Sequence, residues 1–304
     1  MNTLKLNQLE MLIAVADHGG FGAAAAELGC TQSRISHAIA QLEDGLGVRL
    51  LSRSRTGCVP TDAGHRVLIK ARQVVRLAGS IADAAHDAGA LTGRVRIACF
   101  RSVGTHLLPP ALAALAIDYP GIRVDLDDGC EERNDVTRAI MEGRADIGIA
   151  QLPVARELVA HPFVSDSYVL VAPSTLPIRL PASWEQFQDL PYIQLDCTGA
   201  LAVLERCRAA GFKAELTRTA ATDTSIAAMI RHGAGYSILP RLAVFPEPEG
   251  VRVAALPIEA KRKFALIVLP GAAHNMALQV VMRFIRNKRI VSETDAFRAG
   301  LIAW

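Results

Sequence analysis

Residues 21–46 read FGAAAAELGCTQSRISHAIAQLEDGL. Phe21 to Leu28 is alanine-rich and predicts a short helix. Gly29 then supplies a turn residue that tolerates a positive φ. Thr31 is a good N-cap for a second helix from about Gln32 to Leu46. A small-residue helix, a glycine turn and a capped second helix form a helix-turn-helix pattern. In the second helix Ile35, Ile39, Leu42 and Leu46 share one side, and at about 100° per residue Ser33, Ser36, His37 and Ala40 fall opposite. Small hydrogen-bonding groups and one imidazole suit a face that approaches base edges, because bulky or acidic groups would block it. The same pattern also describes a solvated face of an all-helical bundle.

The flanks favour the first reading. Leu6, Leu9, Ile13 and Ala16 recur at spacings of three and four, which predicts an amphipathic helix ended by Gly19-Gly20. Leu50 to Arg53 and Cys58 to Pro60 predict two short strands, with Gly57 suited to the turn. This wing carries Arg53 and Arg55 near its tip, where arginines contact phosphates or enter the minor groove. The plainer alternative is two ordinary surface arginines. From Gln32 to Arg76 there are eight basic residues, Arg34 among them, and three acidic ones, a local net charge of +5 against +3 for all 304 residues. A basic stripe beside a groove-reading helix is the electrostatic footprint of a duplex-DNA binder.

Thr61-Asp62-Ala63-Gly64 begins a further helix that can run to about Ala88, with Thr61 as N-cap and Asp62 favourable in the first turn. Leu68, Ala71, Val75, Ala78, Ala82 and Ala85 form a heptad seam, flanked by Val67, Val74 and Ile81. A paired helix of this kind would set two reading units at half-site spacing. The alternative is a long helix packed on its own chain. Residues 88–93 read as a linker.

These residues carry a resemblance. Leu6-x-x-Leu9-x-x-x-Ile13-Ala14-Val15-Ala16-x-x-Gly19-x-Phe21-x-x-Ala24-Ala25-x-x-Leu28 resembles the start of LysR-type transcriptional regulators. So do Thr31-Gln32-Ser33-x-Ile35-Ser36, Leu42-Glu43-x-x-Leu46-Gly47-x-x-Leu50-Leu51-x-Arg53 and Thr61-x-Ala63-Gly64. The likeness is dense over about sixty residues. It implies a winged helix-turn-helix, a dimerising linker helix and often a tetramer. The family's DNA contacts fall on Gln32, Ser33, Ser36, His37 and Arg53. Two positions depart from the usual pattern, where proline and phenylalanine are replaced by Ser33 and Leu51.

Beyond residue 93 strands and helices alternate. Strands are expected at Arg94–Cys99, Ile122–Leu126 and Asp146–Ala150, and again at Tyr168–Val171, Tyr192–Leu195, Leu216–Thr219, Tyr236–Leu239 and Phe264–Leu269. Helices are expected at Leu107–Asp118, Glu132–Glu142, Leu201–Ala210, Thr224–His232 and about Asn275–Arg286. This predicts a parallel α/β sheet in each of two sets, the last strand and helix returning to the first. The resemblance extends here more weakly and implies a two-lobed effector domain, similar to a periplasmic binding protein, hinged by two crossing strands. The expected division is 1–60 for the winged helix-turn-helix, 61–92 for the linker and dimerisation helix, and 93–304 for the effector domain. Lobe I would take about 93–163 and 266–304, and lobe II about 164–265.

Ligands in such sheets sit beyond strand C-termini, where helix N-termini offer free amides. The loop after the first strand, Phe100 to Thr105, offers Arg101, Ser102 and Thr105, a small-anion trap. Asp196 to Gly199, with Cys197 and Thr198, holds the equivalent place in the second lobe. Gln151 and Thr222 lie at the ends of their strands. By resemblance Ser102, Thr105, Thr198 and Thr222 fall near the family's effector positions, while Arg101 is less typical. Each hydroxyl also suits a plain helix N-cap. Peroxide-sensing members of the family use two cysteines at a spacing like that of Cys197 and Cys207, although the surrounding sequence differs. A redox-sensing regulator is therefore one alternative, and a two-lobed solute-binding protein or enzyme another.

Composition excludes several classes. Apolar residues make up 51% of the chain, enough for a sizeable core, and aromatics only 5%, too few for a base-stacking surface. The first seven residues show no long apolar run, so no secretory leader is expected, and six cysteines without a C-x-x-C pair suggest a reducing cytoplasm. No phosphate-binding, zinc-protease or nucleophile-elbow motif occurs. The expected protein is a DNA-binding regulator with no catalytic residues, metal or cofactor. Its expected partners are double-stranded DNA, a small effector with a carboxylate as candidate group, and further copies of itself as a homodimer through the linker helix and a homotetramer. RNA polymerase is a further candidate partner, and no membrane is expected. The tail from Ile290 to Trp304 predicts a helix with no assigned neighbour.

Overall fold

The computed structural model describes residues 4–54, 57–85, 91–130, 133–272 and 275–304. The chain divides into one unit of Met1–Gly93 with Met141–Arg144 and a second of Arg94–Ile140 with Ala145–Trp304. In the first unit α1 (Leu6–His18), α2 (Phe21–Glu27) and α3 (Gln32–Leu46) precede a hairpin of β1 (Leu51–Ser54) and β2 (Gly57–Pro60), and then α4 (Asp62–Ala85). Gly29, at φ +59°, makes the turn between α2 and α3. Leu12, Val15, Ala24, Ile35, Ile39, Leu42 and Leu50 close the core. The expected helix faces shift at their ends: Leu6 and Leu46 are exposed, because each lies in a terminal turn beyond the core, and Leu12 and Val15 take the central places.

The heptad seam of α4 also divides. Leu68 and Ala71 are buried in the core of their own unit, and Val75 packs against it. The buried Arg72 guanidinium meets Asp17 of α1, which holds that face of α4 against its own domain. Val74, Leu77 and Ile81 instead form an exposed apolar stripe at spacings of three and four, with Leu77 68% and Ile81 67% exposed. The side chains beyond Ile81 and residues 86–90 lie outside the described part.

The second unit begins with β3 (Gly93–Phe100), α5 (Arg101–His106), α6 (Pro109–Asp118), β4 (Ile122–Cys130), α7 (Arg133–Met141) and β5 (Ile147–Gln151). The expected 107–118 helix starts at Pro109, in whose first turn the missing amide protons are tolerated, and the expected loop at 100–105 is the short α5. The long β6 (Val159–Pro173) leads to β7 (Tyr192–Leu195), α8 (Thr198–Ala209), β8 (Leu216–Ala220), α9 (Asp223–Arg231), β9 (Ser237–Pro240) and β10 (Val251–Ala255). The return strand β11 (Lys261–Val268) precedes α10 (Met276–Ile285), α11 (Lys288–Ser292) and α12 (Asp295–Arg298).

The sheets are mixed rather than parallel. β3 and β5 run parallel, as do β7 and β8, but β11 is antiparallel to both β5 and β6. The reason is topological: the chain leaves the first lobe along β6 and returns along β11. Residues 159–167 of β6 pair with β11, whereas residues 168–173 pair with β9 and β10, so one strand serves both lobes. The tail covers the edge of the first lobe: Ala303 bridges Ser165, and the Trp304 ring meets Phe163 edge-on at 6.3 Å. Among the described residues no helix is long and apolar enough to cross a membrane.

Asp166 and Arg262 pair where β6 passes from one lobe to the other. Both are buried; Arg262 Nε and Nη2 donate to Asp166 Oδ1 and Oδ2 at 2.7 and 2.6 Å. Asp166 Oδ2 also accepts from the Leu242 amide at 3.2 Å. The guanidinium lies 4.9 Å from the Phe264 ring centroid and 5.7 Å from that of Tyr168. Burial works to lower the Arg262 pKa, but the Asp166 carboxylate outweighs it and holds the guanidinium above its ordinary value. Replacing Asp166 by Ala leaves a buried cation unpaired and is expected to cost about 3–5 kcal/mol. Urea unfolding of the full chain measures this, and a loss under about 1 kcal/mol would contradict the pair's structural weight.

Candidate functional site

Thr31 accepts from the Arg34 amide at 3.3 Å and fixes the start of α3. From that start Gln32, Ser33, Arg34 and His37 project into solvent, and Ser36 is half-buried, while Ile35, Ala38, Ile39 and Leu42 point into the core. His37 Nε2 lies 2.9 Å from the Gln41 side-chain nitrogen, one turn along the same face. The helix therefore shows one closed apolar side and one open polar side. The backbone of Arg53 pairs with Cys58 in the wing; the Arg53 side chain and Arg55 lie outside the described part.

A buried carboxylate ties the wing to this helix. Glu43, only 7% exposed, accepts from the Leu50 and Leu51 amides at 2.7 and 3.1 Å and from Arg49 Nη1 at 3.3 Å. Thr61 donates to the Arg49 carbonyl at 2.8 Å and accepts from the Gly64 amide at 3.0 Å. A Cβ on Gly64 would stand 2.0 Å from the Leu50 carbonyl oxygen, so only glycine allows α4 to start this close to the wing. Two charges of this segment are thus internal: buried Glu43 receives the exposed Arg49, and buried Arg72 meets Asp17.

In the second unit the strand ends gather the other candidates. Arg101 begins α5 and is exposed, Ser102 behind it is buried, and Thr105 is exposed. Asp127 and Asp128 of β4 lie close to Cys99, and Asp128 abuts Gly104, so this corner carries carboxylates beside the expected anion trap. Burial, followed by these carboxylates, pushes the Cys99 thiol well up. Thr222 caps α9 by accepting from the Ser225 amide at 3.2 Å, which is the plain N-cap role. Cys197 caps α8, its sulfur accepting from the Ala200 amide at 3.4 Å; the Thr198 side chain lies outside the described part.

The junction of the lobes brings some of these together. A Cβ on Gly199 would stand 2.9 Å from the Tyr168 hydroxyl and 3.1 Å from Gln151 Oε1. The N-terminus of α8 thus meets both the end of β5 and the Tyr168 hydroxyl, and the Tyr168 ring lies 5.7 Å from the Arg262 guanidinium. Cys197 and Cys207 are not brought together. They cap and close the same helix, ten positions apart, roughly 15 Å of rise, whereas a disulfide needs Cα atoms within about 7 Å. Among the described residues no cluster of three or more His, Cys, Asp or Glu could hold a metal.

Residues 6–65 match the model of the bacterial regulatory helix-turn-helix protein, lysR family, and residues 88–289 match the LysR substrate binding domain. The chain belongs to the LysR family. A LysR-family chain of this kind is a DNA-binding transcriptional regulator with a ligand-binding C-terminal domain, not an enzyme. One relative is the probable HTH-type transcriptional regulator LrrA of Synechococcus elongatus, 38% identical over 88% of this chain and 92% of that one. Another is a probable hydrogen peroxide-inducible genes activator of Mycobacterium avium, 31% identical over 84% of this chain and 83% of that one. Among solved structures, a full-length OxyR variant from Pseudomonas aeruginosa is similar with a TM-score of 0.72 at 22% identity, covering 95% of this chain and all of that one. CbnR bound to its target DNA is similar with a TM-score of 0.53 at 23% identity, covering 92% and 99%.

Sequence reasoning about this LysR-family chain missed the roles of Glu43, Tyr168 and Arg262. Glu43 stands in the sequence as a charge and as part of a family-like motif, with no role assigned; its position just before the wing was the available signal. Tyr168 and Arg262 meet through the crossing strands beside the 196–199 loop, and no local pattern marks the two. The thiols differ sharply in chemistry. Cys207 is fully buried, and burial, partly opposed by Arg206, pushes its pKa up to about 11. At pH 8 it holds roughly a hundredfold less thiolate than a thiol at 9.0, and reactivity should return only as pH rises through that value. Alkylation of the native chain at pH 8 is expected to spare Cys207 while modifying Cys197; equal rates at the two, read by peptide mass mapping, would contradict this.

Proposed function

We propose that this regulator reads double-stranded DNA with the open face of α3. Gln32, Ser33, Arg34, Ser36 and His37 address the major groove, and Arg53 and Arg55 on the wing address phosphates or the minor groove. The observation that carries the reading is the polar, solvent-facing side of α3 on a helix fixed by Thr31 at its start and by Glu43 at the wing. Changing Arg53 to Ala is expected to weaken binding to all duplexes alike and to reduce the slope of log affinity against log salt by about 0.9. Changing Gln32 or Ser33 to Ala is expected to alter base preference, by about 1–3 kcal/mol at one position. Fluorescence anisotropy across a salt series measures both, and an unchanged slope in the Arg53 variant would remove Arg53 from the interface.

Two chains pair through the Val74, Leu77 and Ile81 stripe of α4, setting two α3 helices on adjacent half-sites, and dimers associate into a homotetramer, with RNA polymerase as a further partner. What supports this is the exposure of three large apolar side chains at heptad spacing. Leu77→Glu is expected to give a monomer at concentrations where the unaltered chain is dimeric or larger, and to lower operator affinity. Sedimentation equilibrium that returned the same mass for both would place the pairing elsewhere.

The working division is DNA-reading 1–60, linker 61–92 and effector domain 93–304, with lobe I near 93–163 and 266–304 and lobe II near 164–265. A small carboxylate-bearing effector binds between the lobes, with its carboxylate at the N-terminus of α8 by Cys197 and Thr198. Gln151, Arg101, Ser102, Thr105 and Thr222 complete the site. Its unequal affinity for two lobe arrangements shifts the bound assembly. The approach of Gln151 to Gly199 supports this placement. A redox trigger is the second reading, favoured by relatives named for hydrogen peroxide and by Cys197 at a helix N-terminus. A thermal-shift screen of small acids separates the two: a stabilising acid supports the first, and DNA binding altered by peroxide alone supports the second.

A further inference from the structure

A cavity of about 690 Å³ opens on the first lobe between the first part of β6, the end of β11 and one face of α10. Small-ligand sites span roughly 300–1,000 Å³. The cavity is separate from the junction of the lobes: His161 precedes Tyr168 by seven positions on β6, roughly 23 Å of extended strand.

Its walls divide by chemistry. Val159, Val268 and Met282 supply an apolar part, and His161, Arg283 and Arg286 supply a cationic part, with no carboxylate in the lining. Arg283 is held in place by donating to the Tyr119 hydroxyl at 3.0 Å. Among the described residues no carboxylate pairs with Arg286. Burial, and then the charge of Arg286, lowers the His161 pKa, so the imidazole already senses the positive field. Among the described residues the cationic side therefore lacks a counter-charge, and the apolar side offers Val159, Val268 and Met282 to a hydrocarbon body.

We propose that this cavity is a second small-molecule site, which takes a monocarboxylate with an apolar body of about eight carbons. The carboxylate meets Arg286 and His161, and the body lies along Val159, Val268 and Met282. This goes beyond the effector reading and does not depend on it. Octanoate is the probe, titrated calorimetrically into the full chain. Saturable binding is expected with a Kd below about 1 mM, and 1-octanol, with the same body and no charge, is expected to bind about tenfold more weakly. Arg286→Gln changes an exposed side chain and should weaken octanoate binding about tenfold. In the unaltered chain the His161 imidazole should rise in pKa on octanoate addition, because a nearby anion favours the imidazolium, and proton NMR reads it.

The titration repeated on Gln151→Ala distinguishes this site from the junction of the lobes. Binding retained there and lost with Arg286→Gln supports the proposal. Binding lost with Gln151→Ala and retained with Arg286→Gln overturns it. So does the absence of saturable binding up to about 10 mM, or an unmoved His161 titration.

Discussion

The effector unit depends on one strand serving two sheets, and on the buried ion pair that fixes it. β6 pairs with β11 over its first part and with β9 and β10 over its last. Asp166 and Arg262 face each other at the changeover, and Asp166 also receives the Leu242 amide. Such a pair adds little net stability compared with apolar packing, but it is costly to leave half-made. It therefore specifies register: sliding β11 against β6 would strand a buried charge. The rings of Tyr168 and Phe264 flank the guanidinium. Through Tyr168 the same pair connects to the approach of Gly199 to Gln151, so the element that holds the lobes in register also adjoins the candidate effector residues.

The DNA-reading unit uses a different device for the same end. Its core is apolar and small, and the wing is positioned by polar groups. Glu43 gathers two backbone amides at the entry to β1, and Thr61 links Arg49 to the first turn of α4. Each satisfies backbone groups that would otherwise be unpaired where α3, the wing and α4 converge. Ser33 and Arg34 face solvent, while Glu43 and Arg72 are paired inside the unit. Burying Arg72 and Glu43 removes one charge of each sign, so these two leave the basic excess of the segment unchanged.

Legibility followed the range of the interactions. The helix-turn-helix was readable because its signals are local: a glycine at φ +59°, a threonine cap and apolar spacing within one helix. The strand order was only partly readable. Alternation of strands and helices implies parallel sheets, but the antiparallel β11 depends on a crossover about a hundred residues long. The split of the α4 face was unreadable for the same reason. Leu68 and Leu77 are equally apolar, and only the packing of α1 on α4 buries one and leaves the other 68% exposed.

By itself the sequence determined the winged helix-turn-helix and the long capped helix after it, because these rest on periodicity, caps and turns within a few residues of each other; its motifs carried the resemblance to the family. Tertiary structure alone decided which α4 stripe is open and which charges of the basic segment are internal. It also decided that Gln151, Tyr168, Gly199 and Arg262 share one place. The physical reason is that burial and ion pairing are set by segments distant in the chain, and a residue's own neighbours in sequence carry no record of them.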